Sequence, residues 1–324
     1  MKPTIITYGV IGVGHIGNYH IQQALKIPGL NLIGIYDNNQ TMLKKRGLEY
    51  SLKIYDDLIQ LVKKCDAICI ATPASHHYKI AKLAMDNNCH VFIEKPITTK
   101  LSHAVELVNL AKTKQLYIQV GHIERFNPAV IKYMGKNNNP EFMEIHRLTP
   151  FNKRGNDIDV ILDLMIHDID LVLYFKQQAV VSIKAHGVQV LTDSYDIANA
   201  QLQFQDGCVA NITASRMSDT PMRKIRVFEN KKYTSLDLQN QTITEYKIDN
   251  QKGIHDKKSL FHNQNGTISK QNISVKPANA LFEELLVFTN SILYNKTKIS
   301  DINDAKTALE IALQIQKKID EQKK

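Results

Sequence analysis

The sequence from Tyr8 to Gly17 reads YGVIGVGHIG, and this stretch decides the fold of the first part of the chain. An apolar run typical of a buried strand leads directly into the spacing G-x-G-x-x-G, and a helical pattern follows. Gly12 suits a tight turn, Gly14 would let a diphosphate approach the backbone, and Gly17 would let the helix pack closely on the strand. The helix start, with its amide groups and positive dipole end, would then hold the diphosphate.

A second strand-like run, from Leu30 to Tyr36, ends at Asp37. An acidic residue is expected at about this place, because it binds the adenosine ribose in a dinucleotide-binding βαβ unit. The alternative is a glycine turn followed by an ordinary surface aspartate. Asn38 follows Asp37 where an arginine would favour NADP, and a carboxylate would repel a 2′-phosphate. We therefore expect NAD as the cofactor, with NADP less favoured.

The chain has 324 residues, enough for two domains with a buried core in each. Its hydrophobic content of 43% and charged content of 23% are typical of a soluble globular protein. No apolar run is long enough to span a membrane, and the first residues lead into the predicted first strand without a signal peptide. We therefore expect a cytoplasmic protein that does not bind a membrane.

The formal net charge of +9 suits two classes of ligand. A nucleic-acid binder carries such a charge, but Lys and Arg are scattered here and Trp is absent, so we expect no nucleic-acid partner. A phosphorylated small molecule favours the same sign of charge. The four cysteines, Cys65, Cys69, Cys89 and Cys208, lack the spacing of zinc ligands, so we expect buried reduced thiols and no metal.

Strands and helices alternate over residues 5–120, which predicts a doubly wound parallel sheet, the α/β Rossmann arrangement. Beyond Gly121 the pattern changes to a long helix and then to strand-like runs joined by short turns. These runs predict an antiparallel meander and hence an α+β fold. The expected domains are residues 1–121 and 122–324. The polar, Asn- and Lys-rich segment 249–276 is expected to be a mobile loop or lid.

The predicted helix from Val160 to Phe175 carries a candidate site. It is apolar on nearly all sides and should be buried. Asp163, His167 and Asp170 follow one another at i, i+4 and i+7, so they share one face. A buried helix keeps such a stripe only if hydrogen-bond partners or a cavity satisfy it. The stripe is therefore an internal network or a site, and an aspartate one turn before the histidine favours a site.

Lys95 is a second candidate, because it follows a strand at the edge where open α/β sheets bind ligands. Pro96 makes the turn rigid, and a cis peptide bond is possible there. A lysine desolvated beside a nicotinamide ring could exchange a proton with a substrate hydroxyl. The alternative is an ordinary surface lysine at a strand end.

Two loops complete the predicted site. Thr72-Pro73 forms the loop after a predicted buried strand, and His76-His77 begins the next helix. Consecutive residues on a helix point in different directions, so the two histidines do not predict a metal site. A contact near the cofactor is expected instead. His122 and Arg125 follow the last strand of the first domain. They contact the substrate or fix the linker between domains, and the linker role is favoured for the adjacent Phe126-Asn127.

Three motifs occur in order: G-x-G-x-x-G at residues 12–17, Glu94-Lys95-Pro96, and Asp163-x-x-x-His167. With the strand-rich domain after them, they resemble the glucose–fructose oxidoreductase/inositol dehydrogenase (Gfo/Idh/MocA) family over essentially the whole chain. The resemblance implies a Rossmann domain followed by an α+β domain with a large open, mainly antiparallel sheet, whose exposed face joins members into homodimers or homotetramers. It also implies an oxidoreductase that acts on sugar-like alcohols with NAD or NADP.

The motifs and the resemblance together give the predicted site residues. The catalytic residues are Lys95, Asp163 and His167. The cofactor-binding residues are Gly12, Gly14, His15, Ile16, Gly17, Asp37, Thr72, Pro73, His76, Glu94 and Lys95. The substrate-binding residues are Lys95, His122, Arg125, Asp163 and His167.

Residues 120–128 and 163–170 resemble a narrower group within the family, whose members oxidise C3 of UDP-N-acetylglucosamine in lipid A and surface-polysaccharide synthesis. This implies hydride transfer from C3 to NAD, with Lys95 or His167 taking the hydroxyl proton and Asp163 orienting the base. The alternatives are a family dehydrogenase of a free polyol or hexose such as myo-inositol, and a non-catalytic NAD-binding regulator. Five basic residues of the second domain either suit a nucleotide diphosphate or are solvated at the surface: Arg147, Lys153, Arg154, Arg216 and Arg223.

Overall fold

The computed structural model describes most of the chain, namely residues 5–151, 158–249, 259–263, 266–294 and 302–322. Two compact units form. Unit 1 comprises Met1–Phe126 and Asn279–Glu310, and unit 2 comprises Asn127–Ala278 and Ile311–Lys324. Among the described helices, none combines the length and the apolar character that crossing a membrane requires.

The strands, in chain order, are β1 (Ile6–Ile11), β2 (Leu30–Tyr36), β3 (Ala67–Ile70), β4 (His90–Ile93), β5 (Ile118–Val120), β6 (Phe142–Leu148), β7 (Val180–Val188), β8 (Ile197–Phe204), β9 (Val209–Ser215), β10 (Met222–Glu229), β11 (Lys232–Asp237), β12 (Thr242–Asp249), β13 (Ser259–Asn263) and β14 (Gly266–Ile273). The α-helices are α1 (His15–Ala24), α2 (Gln40–Tyr50), α3 (Leu58–Val62), α4 (Ala74–Asp86), α5 (Leu101–Lys114), α6 (Pro128–Met134), α7 (Ile166–Lys176), α8 (Ala280–Tyr294) and α9 (Ile302–Glu321). A 3₁₀-helix covers Ile123–Phe126, and a π-helix covers Ile161–Met165.

The sheet of unit 1 contains parallel strands in the order β2-β1-β3-β4-β5. Every residue of the central strand β3 is buried, as expected for a parallel sheet covered on both faces. The predicted Rossmann arrangement is confirmed. The Asp57 carboxylate caps α3, accepting a hydrogen bond of 2.8 Å from the backbone N–H of Ile59.

The compact units differ from the predicted division at residues 121 and 122, because Asn279–Glu310 belongs to unit 1. Helix α8 returns to unit 1, where Phe288 is buried and packs edge-to-face on Phe92 of β4, with ring centroids 5.8 Å apart. The guanidinium of Arg125 donates a 2.8 Å hydrogen bond to the Asp304 carboxylate in the first half of α9. Sequence patterns cannot show this return, because residues more than 150 positions apart make these contacts.

The described part of unit 2 contains one sheet with the strand order β13-β14-β12-β11-β10-β6-β9-β8-β7. Neighbouring strands are antiparallel except β6 and β9, which run parallel, so the sheet is mainly antiparallel as predicted but not a simple meander. Alternate residues of β6 are buried, including Met143 and Ile145. The fold class deduced from the sequence is therefore confirmed for both units.

The segment 249–276 is not simply the mobile loop that its polar composition predicts. Strand β14 lies within it and pairs antiparallel with β12, from Ile273 opposite Ile243 to Thr267 opposite Asp249. Polar side chains on a sheet with one solvent-facing side fit such a strand, because only alternate positions need to be apolar. Residues 250–258 and 264–265, also part of the prediction, lie outside the described residues.

A buried ion pair connects β6 to α7. Arg147 and Asp168 are only 3% and 1% exposed, and the guanidinium donates two hydrogen bonds to the carboxylate, Nε to Oδ2 at 2.9 Å and Nη2 to Oδ1 at 2.8 Å. Such a bidentate pair fixes both separation and orientation. The suggestion that Arg147 serves a nucleotide diphosphate, or is solvated, is wrong, because its guanidinium is buried against Asp168.

We expect Arg147→Met to lower the free energy of unfolding by about 3 kcal/mol, because Asp168 would stay buried without its counter-ion. Urea denaturation of the purified protein measures this. The matched control is Arg226→Met, which removes the 2.8 Å ion pair of an Arg226 side chain 45% exposed on β10, and should cost under about 1 kcal/mol. Equal and small losses in the two variants would contradict the assigned role of Arg147.

Candidate cofactor and active site

In the glycine-rich turn between β1 and α1, close backbone contacts require two of the three glycines, and the third borders open space. Gly12 has φ +86°, and a Cβ there would lie 2.7 Å from the Ala71 carbonyl. At Gly17 a Cβ would lie 1.8 Å from the Gly12 carbonyl oxygen, so only glycine lets α1 begin this close to the turn. At Gly14 a Cβ would meet nothing within 4 Å. Gly14 therefore borders open space at the N-terminus of α1.

A cavity of about 500 Å³ lies at this turn, within the usual size range for small-molecule sites. Six predicted cofactor-binding residues line it: Gly12, Gly14, Asp37, Thr72, Pro73 and His76. His15 and Ile16 are exposed on the first turn of α1 and are not part of its lining. The carboxyl ends of β1, β2 and β3 thus meet at one cavity, as the topology of an open α/β sheet requires.

Asp37 is fixed by two backbone groups. Its Oδ2 accepts a 2.7 Å hydrogen bond from the N–H of Val13 in the glycine turn, and its Oδ1 accepts one of 2.8 Å from the N–H of Asn39. Asn39 in turn caps α2 by accepting from the N–H of Met42. Each carboxylate oxygen keeps a further acceptor site for a ligand hydroxyl.

Sequence reasoning missed several lining residues. Leu58 at the start of α3 and Ile80 on α4 give the cavity apolar surface, and Lys79 lies beside Ile80. Lys79 and Ile80 lie in the second turn of α4, beyond the loop that the sequence analysis considered. Tyr36 and Asn38 also line the cavity, and the Tyr36 hydroxyl donates a 2.8 Å hydrogen bond to Asn38 Oδ1.

The turn after β4 carries Lys95, which is half-buried, and the peptide bond between Lys95 and Pro96 is cis. His77 on α4 lies beneath this turn and is 1% exposed. Its Nδ1 is 2.8 Å from the Pro96 carbonyl oxygen, and its Nε2 is 2.9 Å from that of Thr72. Burial lowers the pKa of His77, although the two carbonyl oxygens oppose this. The ring therefore connects the loop after β3 to the turn after β4, which its sequence position did not reveal.

Glu94 precedes Lys95 and forms a partly buried pair with His20 of α1. Nε2 of His20 is 2.6 Å from Oε1 of Glu94, and the Lys95 N–H donates a 3.3 Å hydrogen bond to Oε2. Burial alone would raise the pKa of Glu94, but the hydrogen bond and charge of His20 lower it below its ordinary value. Burial would lower the pKa of His20, but Cys69 and Glu94 raise it well above its ordinary value.

The two predicted substrate contacts near the end of β5 are buried. His122 is 2% exposed and Arg125 is 1% exposed. The contact of Arg125 with Asp304 favours the structural alternative, in which it holds the chain that follows β5. In unit 2, Asn127 Oδ1 caps α6 by accepting from the N–H of Ala129, and its Nδ2 donates to the Leu238 carbonyl oxygen.

In unit 2, Asp163 lies in the π-helix and His167 lies in the first turn of α7. Both are half-buried, whereas Asp170 is 1% exposed. The expected single helix is therefore two segments, and π-helical turns occur frequently at functional sites. The neighbouring apolar residues Met165 and Ile166 are buried, so the predicted buried helix with polar positions is confirmed.

The other basic residues of unit 2 have separate outcomes. Arg216 is 4% exposed, its Nε lies 3.2 Å from Asp196 Oδ1, and its Nη2 donates to the Tyr195 carbonyl oxygen at 2.9 Å. The suggestion that Arg216 binds a diphosphate or is solvated is therefore wrong. Arg223 is exposed on β10. Lys153 and Arg154 lie outside the described residues.

The residues around the cavity of unit 1 fit a dinucleotide. The N-cap position of α1 is Gly14, which has no capping side chain, and the first turn has no acidic residue, so its N–H groups and dipole favour a diphosphate. The open space at Gly14 would give the diphosphate access to the backbone, and the Asp37 carboxylate could accept hydrogen bonds from ribose hydroxyls. The fold and the cavity thus define a dinucleotide-binding protein.

Comparison with known proteins gives the family. Residues 6–122 match a model described as "Oxidoreductase family, NAD-binding Rossmann fold", and residues 132–232 match the "GFO/IDH/MocA C-terminal domain". The UDP-N-acetylglucosamine 3-dehydrogenase of Acidithiobacillus ferrooxidans is 33% identical over 315 residues, 95% of each chain. Its solved structure has a TM-score of 0.88, 32% identity, and 97% coverage of both chains.

More distant relatives share the fold. The scyllo-inositol 2-dehydrogenase (NAD(+)) of Bacillus subtilis is 26% identical over 237 residues, which is 64% of this chain and 67% of that relative. The structure of a scyllo-inositol dehydrogenase from Lactobacillus casei has a TM-score of 0.79 at 20% identity, covering 99% of this chain and 98% of that one. The chain belongs to the GFO/IDH/MocA oxidoreductase family. It is a nicotinamide-dependent dehydrogenase of CH–OH groups, as its sequence predicts.

We expect Gly14→Ser to weaken NADH binding by at least about tenfold without lowering the melting temperature of the free protein. Serine is a favoured N-cap residue, so the helix would keep its stability. Its hydroxyl would, however, occupy the open space and accept from the N–H groups that a diphosphate needs. NADH fluorescence titration and thermal melting measure the two effects.

The control is Gly135→Ser at the end of α6, where a Cβ would meet nothing closer than 3.5 Å. This variant should bind NADH as the wild type does. Wild-type affinity in Gly14→Ser would show that the diphosphate does not approach this helix.

Proposed function

We propose that the protein oxidises C3 of the sugar of UDP-N-acetylglucosamine to a 3-keto sugar, with NAD as the hydride acceptor. The observation that carries this proposal is the 33% identity, over 95% of both chains, to a relative named for that reaction. The family and the dehydrogenase class do not by themselves identify the sugar substrate. The near-complete coverage favours the UDP-sugar, because the match extends through the strand-rich unit as well as through the cofactor-binding unit.

The preference for NAD follows from Asp37. Its carboxylate is held by the N–H groups of Val13 and Asn39, so it cannot easily swing away from a ligand in the cavity. A fixed carboxylate accepts from the 2′- and 3′-hydroxyls of NAD, but it repels the 2′-phosphate of NADP. Lys79 also lines the cavity, but it lies on α4 rather than beside Asp37 in the chain.

A bound nicotinamide would supply the hydride acceptor for the sugar carbon. The hydroxyl of that carbon must lose its proton at the same time. We assign this proton to Lys95 or His167, with Asp163 orienting the base, and the second cationic group would stabilise the developing alkoxide. The assignment is to the two residues together rather than to either one.

Two other functions are compatible with the fold. A free polyol could be the substrate, which the 26% identity to a scyllo-inositol 2-dehydrogenase supports over about two thirds of the chain. A non-catalytic regulator could keep the cofactor cavity alone. It would not need Lys95, Asp163 and His167, and this chain has all three.

We also propose that the protein is a homodimer or homotetramer that associates through the open face of the unit 2 sheet. Alternate residues of β6 point to opposite faces, and Arg147 contacts α7, so Phe142 lies on the opposite face. From Phe142 a row of rings follows on successive strands: Phe228 at 5.7 Å, then Tyr233 at 4.8 Å, then Tyr246 at 5.0 Å between centroids. A half-buried aromatic row on a sheet face is typical of a protein interface.

The substrate proposal is tested by incubating the purified protein with NAD+ or NADP+ and each of UDP-N-acetylglucosamine, free N-acetylglucosamine and myo-inositol. We expect NADH to form only with the UDP-sugar, and NADP+ to be a poor substitute. Lys95→Met should lower kcat by roughly 10²- to 10⁴-fold while NADH still binds. Lys100→Met, an exposed lysine at the start of α5, is the control and should be unaffected.

Each alternative gives its own result. Turnover with a free polyol alone would replace the UDP-sugar. Tight NADH binding without turnover of any of the three compounds would favour the regulator. Substantial activity in Lys95→Met would remove Lys95 from the reaction.

The oligomer proposal predicts that Tyr233→Lys, at the centre of the aromatic row, gives a smaller species than the wild type. A buried lysine on a self-associating face would lose its hydration without a partner. Light scattering after size-exclusion chromatography measures the mass. Leu48→Glu, at a position 83% exposed on α2, is the control and should keep the wild-type mass. A monomeric wild type would contradict the proposal.

A further inference from the structure

A buried histidine of α1 points to a role that the family motifs do not include. His20 is fully buried, and α1 is the helix whose N-terminus borders the cofactor cavity. Its Nε2 lies 2.6 Å from Oε1 of Glu94 at the end of β4. A buried ionisable side chain is costly unless it is paired, so this pair needs a physical reason.

The Glu94 carboxylate is confined by three elements. His20 of α1 contacts Oε1, and the Lys95 N–H donates to Oε2 at 3.3 Å. Gly121, just after β5, makes room for the same carboxylate: a Cβ there would lie 2.9 Å from Oε2 and 3.2 Å from Cδ. The carboxylate therefore has one orientation, directly before Lys95 in the chain. Its side chain is 19% exposed, so part of it reaches the surface of unit 1.

The groups around the pair shift both pKa values in the direction that favours the ion pair. Glu94 faces His20 from α1, Lys95 from its own turn, and His77 from α4, while His20 faces Glu94 and Cys69 of β3. The pKa of Glu94 is lowered and that of His20 is raised, so the pair is ionised between these two pKa values. Its stabilisation is lost when the pH falls through the pKa of Glu94 or rises through that of His20.

We propose that His20 is a positioning residue that holds Glu94 as an oriented carboxylate beside Lys95. Through this contact the helix that receives the cofactor diphosphate also fixes the turn that carries Lys95. His20 is fully buried, so it does not touch substrate and acts through Glu94 alone. The part of this inference that concerns turnover rests on the proposed function of Lys95, and the part that concerns cofactor binding does not.

A double-mutant cycle tests the proposal. The variants are His20→Leu, which removes the donor but keeps the volume, Glu94→Gln, and the two combined. We expect His20→Leu to weaken NADH binding and to lower kcat, each by about tenfold or more, because a charged hydrogen bond is lost. In the Glu94→Gln background the same replacement should have little further effect on either quantity. His20→Gln keeps one donor and should recover most of the loss.

Two further variants keep the test decisive. His90 lies at the opposite end of β4, where its Nδ1 accepts from the Tyr117 N–H at 2.9 Å, so His90→Gln should leave NADH affinity and kcat unchanged. Gly121→Ala pushes on the Glu94 carboxylate while His20 stays in place, and it should reproduce the loss of NADH affinity. If His20→Leu does not fold, Gly121→Ala and His20→Gln decide the question.

The opposing results are distinct. If the fold-losses in NADH affinity of the two single variants multiplied in the double variant, His20 would not act through Glu94 and the proposal would be overturned. It would also be overturned by a lower melting temperature in His20→Leu with unchanged NADH affinity and kcat, or by unchanged NADH affinity in Gly121→Ala. If the wild type turned over no sugar, the proposed substrate would be wrong, but the cycle measured on NADH affinity would still decide the role of His20.

Discussion

Helix α1 can begin where it does only because Gly17 has no side chain, since a Cβ at this position would overlap the Gly12 carbonyl oxygen at 1.8 Å. This close approach places the N-terminus of α1 against the open space at Gly14 and beside the loop that binds the Asp37 carboxylate. The same helix, one turn further on, brings His20 to Glu94. One steric constraint therefore sets both the cofactor cavity and the turn that carries Lys95.

Unit 2 depends on a comparable constraint of a different kind. The bidentate contact between Arg147 and Asp168 joins β6 to α7, so the helix segment that carries His167 keeps a fixed rotation relative to its sheet. A rotation of α7 would break two charge-assisted hydrogen bonds in a buried environment. The polar positions of an otherwise apolar helix are held in place by an ion pair between the helix and the neighbouring strand β6.

Local patterns in the sequence were sufficient for much of this architecture. The three glycines, the alternating strands and helices, and Asp37 were predictable, because a turn, a strand or a cap depends on residues close together in the chain. The pairing of β12 with β14, the return of α8 to Phe92, and the partner of Arg147 were not. These contacts join distant segments, and composition does not show which segment a polar or apolar side chain will meet. The contact between Glu94 and His20 in the candidate site was unpredictable for the same reason, because 74 positions separate the two residues.

Two of the ion pairs described above, His20–Glu94 and Arg147–Asp168, have one feature in common. Glu94 directly precedes Lys95, and Asp168 directly follows His167, so each carboxylate adjoins a residue that the sequence predicts to be catalytic. Buried ion pairs contribute little net stability compared with apolar residues of similar volume, because desolvation offsets their attraction. Stability therefore does not explain why both pairs occur at these positions. A pair with fixed geometry does restrict the backbone of its neighbour, and a reacting group must be held to within a fraction of an ångström. The placement of both pairs is accounted for if their task is to orient the neighbouring residue.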